Sequence, residues 1–121
     1  MQSDRELLEL AARAAGLVVA GLADKMLVDP ERRAGGLIVV TPTGGHTAWN
    51  PLTDDGDALR LAVTLKIDLF HDDPRDNDAW VMAGDIEFVE DVDGESSRPA
   101  AARRAIVRAA AAIGQAQGGK G

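Results

Sequence analysis

Asp54, Asp55 and Asp57 set three carboxylates within four residues of this 121-residue chain. Carboxylate oxygens prefer hard cations, so a Mg²⁺ or Ca²⁺ site is the first chemistry to weigh, and with His71 it would make a divalent-metal hydrolase. The spacing does not fit an EF-hand loop, which needs oxygen ligands at alternate positions, then Gly and a distant Glu. Nor does it fit an aspartyl-phosphate phosphatase, whose aspartates end a strand and precede Gly-Thr. Here Ala58-Leu59 follows and helical periodicity begins. His46 and His71 are the two histidines, and with Asp72 and Asp73 they would form an acid/base or metal site only if folding gathered them. Their spacing matches no zinc motif. Ser3, Ser96 and Ser97 sit in helix-start or loop sequence with no Gly-x-Ser-x-Gly elbow, and Gly35-Gly36 and Gly44-Gly45 lack the residues of a phosphate loop. No cysteine is present, which excludes thiolate sites, Cys nucleophiles and disulfides. The expectation is therefore no catalytic residue, no cofactor and no metal, with Asp54, Asp55 and Asp57 as weak cation candidates only.

The aspartates have a simpler use. In Trp49-Asn50-Pro51-Leu52-Thr53-Asp54-Asp55-Gly56-Asp57-Ala58-Leu59-Arg60-Leu61-Ala62-Val63, Asn50-Pro51 favours a turn because proline pushes the residue before it out of the α region. Asp54 is placed to cap a helix, and Asp55 and Asp57 would then offset the positive end of its dipole. Ala58, Leu61, Ala62 and Leu65 follow the i, i+3, i+4, i+7 spacing of a buried stripe, which Leu59 and Val63 are expected to widen. Arg60 is within reach of Asp57 for an ion pair.

This stretch resembles the signature of the phage ABA sandwich domain family, small phage and prophage proteins of unknown function. Ala102-Arg103-Arg104-Ala105-Ile106-Val107-Arg108-Ala109-Ala110 is similar to the family's C-terminal helix. The two motifs cover about a fifth of the chain, in the family's order. The resemblance implies a layered α/β/α domain from a phage or prophage. It implies no established activity and carries over no catalytic residue.

The remaining elements follow from local pattern. Ser3-Asp4-Arg5-Glu6 is a capping box opening a helix over 4–15, with Gly16 as its stop. Leu17–Ala20 and Met26–Val28 read as strands with Gly21 as a bulge or bend, although Gly21–Leu27 also suits a helix. Asp29-Pro30 breaks the run, and Ala34-Gly35-Gly36 makes a hairpin tip. Leu37–Val40 is a continuous apolar strand, which suggests burial on both faces. Residues 41–45 form a loop leading to His46 and Trp49. Ile67–His71 and Ala79–Ala83 form a hairpin across a polar loop, and Ile86–Glu90 either extends the second strand or adds an edge strand. A last helix starts near Pro99, with Ala102, Ile106, Ala109 and Ile113 on one face, and Gly114 ends it. The reading is α+β: helix-strand-strand-helix-strand-strand-helix, a layered α/β/α sandwich on a mainly antiparallel sheet of four to five strands. Residues 1–114 make a single domain and 115–121 a flexible tail.

Charge narrows the partners. The net charge is −7, but residues 53–95 hold fourteen acids and three bases, and residues 96–121 hold five bases and no acid. The acidic middle repels phosphates and opposes duplex nucleic-acid binding. The basic end is expected to lie against it, within one molecule or across a homodimer. No apolar run approaches the length of a membrane span, and the charged first residues are unlike a signal peptide, so a cytoplasmic protein is expected. The class that fits is an acidic phage accessory protein that binds another protein, possible dimer included, with Trp49, Arg104 and Arg108 as interaction candidates. Trp49 and Trp80 are expected to be core anchors, Trp49 sealing the helix entry against the sheet, and would mark a protein contact if exposed. An acidic nucleic-acid mimic that inhibits a host DNA-binding enzyme is the alternative reading.

Overall fold

The computed structural model describes residues 3–22, 36–70, 79–83, 86–90 and 98–118. The expected strand at Met26–Val28, the hairpin tip at Ala34-Gly35, His71 with the polar loop to Asp78, and the loop over 91–97 lie outside these residues.

The fold is α+β; the described residues contain three helices and antiparallel strands. Helix α1 spans Asp4–Ala14, β1 Val19–Leu22, β2 Leu37–Val40, β3 His46–Trp49, α2 Asp55–Leu65, β4 Asp68–Phe70, β5 Ala79–Ala83, β6 Ile86–Glu90 and α3 Arg98–Gly118. The strands form two three-stranded antiparallel sheets, β1-β2-β3 and β4-β5-β6. A single sheet of four to five strands is expected from the sequence; the described residues instead contain six strands in two sheets. One source of the difference is β3. Its sequence His-Thr-Ala-Trp is too short and too weakly alternating to announce a strand, yet all four residues pair with β2, from Leu37 opposite Trp49 to Val40 opposite His46. The turn between them is closed by Gly44 N–H to Thr41 O at 2.9 Å and Thr41 N–H to Gly45 O at 2.7 Å. The first strand lies at Val19–Leu22 and not at the expected Leu17–Ala20, and Gly21 pairs within it. The irregularity falls one residue earlier, where Val19 faces Val39 and Gly21 faces Ile38, which leaves Ala20 as the extra residue. Ile86–Glu90 is a separate strand paired with β5 along its length.

Helix α1 begins as its capping box dictates. Ser3 Oγ accepts the Glu6 N–H at 3.2 Å, and the Ser3 hydroxyl donates to Glu6 Oε1 at 3.3 Å. The helix ends when Gly16 takes a left-handed φ of 75°, so that Leu17 N–H reaches back to Ala12 O. Its inner face is Leu7, Leu8, Ala11 and Ala12.

Helix α3 holds the molecule together. It packs against α1, α2, β5 and β6. Contact on several sides explains why its burial exceeds one stripe: Ala101, Ala105, Ile106, Val107, Ala109, Ala110 and Ala111 are all buried. Small side chains let backbones approach closely. Gly114 does not stop this helix, which continues to Gly118, so the expected tail from residue 115 is helical through 118. Gly114 is buried at the crossing with α1, where a Cβ would lie 1.9 Å from Leu10 O. Its role is close approach rather than termination.

The core joins Leu8, Leu37, Val39, Trp49, Leu61, Ile67, Ile106 and Val107, with Leu65 and Ile113 packed at its margin. Strand β2 is buried alternately: Leu37 and Val39 are covered, whereas Ile38 and Val40 are half-buried. The double-faced burial expected for this strand is therefore limited to one face. No helix among the described residues is long and apolar enough to cross a membrane.

Candidate functional site

The aspartate cluster lies where β3 turns into α2. Asn50 opens the turn. Its side-chain oxygen accepts the Leu52 N–H at 3.0 Å, and its carbonyl accepts the Asp54 N–H at 2.9 Å and the Thr53 N–H at 3.1 Å. Pro51 inside the turn is fully buried. This places Asp54 as the N-cap of α2, with its carboxylate accepting the Asp57 N–H at 2.9 Å.

Asp57 is the residue whose role the sequence understates. A first-turn carboxylate that offsets a dipole is ordinarily exposed, but Asp57 is 3% exposed. The turn folds back over it, so that Asp57 Oδ2 accepts the buried Asn50 N–H at 2.9 Å. Its Oδ1 accepts from Arg60 Nη2 at 2.7 Å, which is the ion pair expected from the spacing. Gly56 makes room for that guanidinium: a Cβ there would meet Arg60 Nη1 and Asp54 Oδ2, each at 3.3 Å. The third carboxylate, Asp55, turns away to α3, where Arg103 Nη1 pairs with its Oδ1 and Arg103 Nε donates to Leu52 O at 2.8 Å. Arg103 thus ties turn and helix start to the C-terminal helix. The basic end meets the acidic middle here, within one molecule.

Each of the three aspartates faces a protein donor. Among the described residues no group of three or more His, Asp or Glu side chains gathers to hold a metal ion. The chemistry of the cluster is helix initiation and inter-element bonding. Removing the cap tests this directly. Asp54→Ala is expected to lower stability by about 1–2 kcal/mol in urea titration, while Asp54→Asn, which keeps an acceptor oxygen, retains most of it. Equal losses for the two variants would contradict the capping role.

The remaining candidates separate. His46 is exposed at the hairpin end of β3; His71, Asp72 and Asp73 lie outside the described residues. Trp49, expected chiefly to pack in the core at the helix entry and otherwise to serve as an interaction residue, is 7% exposed and belongs to the core, because β3 directs it inward beside Leu37. Arg104 reaches Asp4 at the start of α1, with Nη2 to Oδ1 at 3.1 Å, and Arg108 is half-buried on α3. The arginine that matters most to the turn, Arg103, is the one not singled out from the sequence. The only hint was its place in the second motif, since its two acceptors lie about fifty residues away in the chain.

Beside the cluster runs an open groove of about 330 Å³, walled by Val39 and Val40 of β2, Ala48 and Trp49 of β3, and Arg60 and Leu61 of α2. The Arg60–Asp57 pair forms its polar edge. On the opposite side of α2 two apolar residues face outward: Leu59 is 65% exposed and Val63 68%. They were expected to widen the buried stripe. At 100° per residue they lie roughly 130° and 170° round the helix from the centre of the buried arc, Asp57, Ala58, Leu61, Ala62 and Leu65, too far to reach the core.

No protein family, curated protein or solved structure matches the chain.

Proposed function

We propose that this chain is a non-enzymatic protein-binding module, a small accessory protein of a phage or prophage with the α/β/α layering that the two motifs imply. The supporting observation is the outer face of α2, where Leu59 and Val63 stand in water one helical turn apart. Solitary exposed apolar residues are ordinary, but a pair on one turn of a well-capped helix is a surface that burial would stabilise. The residues with the strongest claim to chemistry, Asp54, Asp55 and Asp57, are engaged in building the helix that presents this pair. Function on this reading is presentation: the turn, the cap and Arg103 hold α2 rigid so that its outer face can be recognised.

The test compares the wild-type chain with Leu59→Glu and Val63→Glu. Both positions are exposed, so each variant is expected to keep its far-UV circular dichroism and to stay within about 0.5 kcal/mol of wild-type stability. A partner retained by immobilised wild-type chain from a bacterial lysate with an induced prophage should be bound at least about tenfold more weakly by either variant, because burying such a side chain is worth about 1.5–3 kcal/mol. Identical partner sets and affinities for the three chains would overturn the assignment of this face.

A further inference from the structure

The exposed residues of α2 are ordered along its axis. Asp55, Leu59 and Val63 follow at i, i+4 and i+8, within a single strip about 80° wide, and Lys66, the C-cap with a left-handed φ of 57°, lies just past its C-terminal end. All four are exposed, Asp55 with 78% of its side chain in water. The strip carries an acid at its first turn, two apolar side chains in its middle and a base at its C-cap. Reversed end for end, it is its own complement.

From this pattern we infer that the outer face of α2 docks a second copy of this chain, the two helices running antiparallel about a two-fold axis. This rests on the protein-binding reading above and names its partner. A two-fold contact requires one patch to match itself, with residue i meeting j and j meeting i. With the axis passing level with residue 61, Leu59 meets the partner's Val63, and Asp55 comes within about 1.5 Å of level with the partner's Lys66 at both ends, a gap that the long lysine side chain spans. The antiparallel arrangement also sets the positive end of each helix dipole beside the negative end of the other. Asp55 remains available for this contact because Arg103 engages only its Oδ1. A parallel pairing would instead set Asp55 against Asp55 and Lys66 against Lys66, which like-charge repulsion disfavours. The strip spans about 16 Å of helix and is smaller than the roughly 800 Å² per partner of a standard stable interface, so the dimer is weak and depends on concentration.

Sedimentation equilibrium on the full chain, from about 10 µM to about 1 mM, reads this out, since dimers of this size class dissociate in that range. The expected result is a rising dimer fraction for wild type, at least about tenfold weaker association for Leu59→Glu and for Val63→Glu, and a several-fold loss for Lys66→Glu, which sets like charges together at both ends. Orientation is read by crosslinking, which the cysteine-free chain makes clean. A mixture of Leu59→Cys and Val63→Cys chains should form a mixed disulfide, and Lys66→Cys alone should form none. A monomer throughout, a dimer indifferent to Leu59→Glu, or a ready Lys66→Cys homodisulfide would each overturn the antiparallel self-contact. A monomer whose capture of another protein still depends on Leu59 would overturn self-association and leave the protein-binding reading standing. A dimer sensitive to Leu59→Glu supports the self-contact whether or not a further partner is captured.

Discussion

Replacing Gly114 with alanine is expected to destabilise the protein by about 3 kcal/mol or more, the upper end of what overpacking costs. Helix propensity alone argues the other way, since Gly→Ala in a helix interior ordinarily gains about 0.5–1 kcal/mol. The sign reverses because the added Cβ would stand 1.9 Å from Leu10 O and 2.8 Å from Leu10 C, both backbone atoms of α1 that cannot swing aside as a flexible side chain would. The two helices must then separate, and the separation propagates to Leu8, Ala11 and Ala12 on one side and to the alanines of α3 on the other, all buried in the same core. Urea denaturation monitored by circular dichroism measures the effect. Gly114→Val should be more damaging still. A stability equal to or above wild type for Gly114→Ala would mean that α1 and α3 do not approach this closely in solution.

The second large effect is expected at Asp57. Asp57→Ala removes the acceptor used by the buried Asn50 N–H and the anion that Arg60 pairs with, while leaving the cap residue Asp54 in place. Loss of an acceptor for a buried donor costs about 1–3 kcal/mol, and the part-exposed ion pair adds less than about 1 kcal/mol, so a total of about 1–4 kcal/mol is expected. Asp57→Asn keeps an oxygen for Asn50 and should lose roughly half as much. Asp55→Ala is the control: its carboxylate is largely in water, and Arg103 keeps its bond to Leu52 O, so its cost should stay below about 1 kcal/mol in the same titration. If Asp55→Ala and Asp57→Ala proved equally costly, the burial of Asp57 would not be what fixes the turn.

The contrast between those two aspartates shows how far the residues spoke for themselves. Capping is local: a side chain bonds an N–H two or three positions away, so Ser3, Asp54 and the ends of their helices were legible without any fold. The Asp57–Arg60 pair is likewise short-range, and it is present, as is the α+β class that local patterns add up to. Periodicity marked Ala58, Leu61 and Ala62 as buried, but it set no limit on the width of the buried arc. Whether Leu59 and Val63 belonged to it depended on what packed against α2, and nothing among the described residues reaches that far round the helix.

Composition and spacing by themselves determined the three helices among the described residues, antiparallel strands, the start of each capped helix and the structural use of the aspartates. Only the tertiary arrangement decided that His46–Trp49 pairs as a strand, that Asp57 is buried, that Arg103 is the bridge between α3 and the turn, and that Gly114 permits a helix crossing instead of ending a helix. The physical reason is range. Backbone propensity and caps act over a few residues, whereas a cross-strand partner, an acceptor about fifty positions away or a neighbouring helix backbone is set by which elements come to rest against each other.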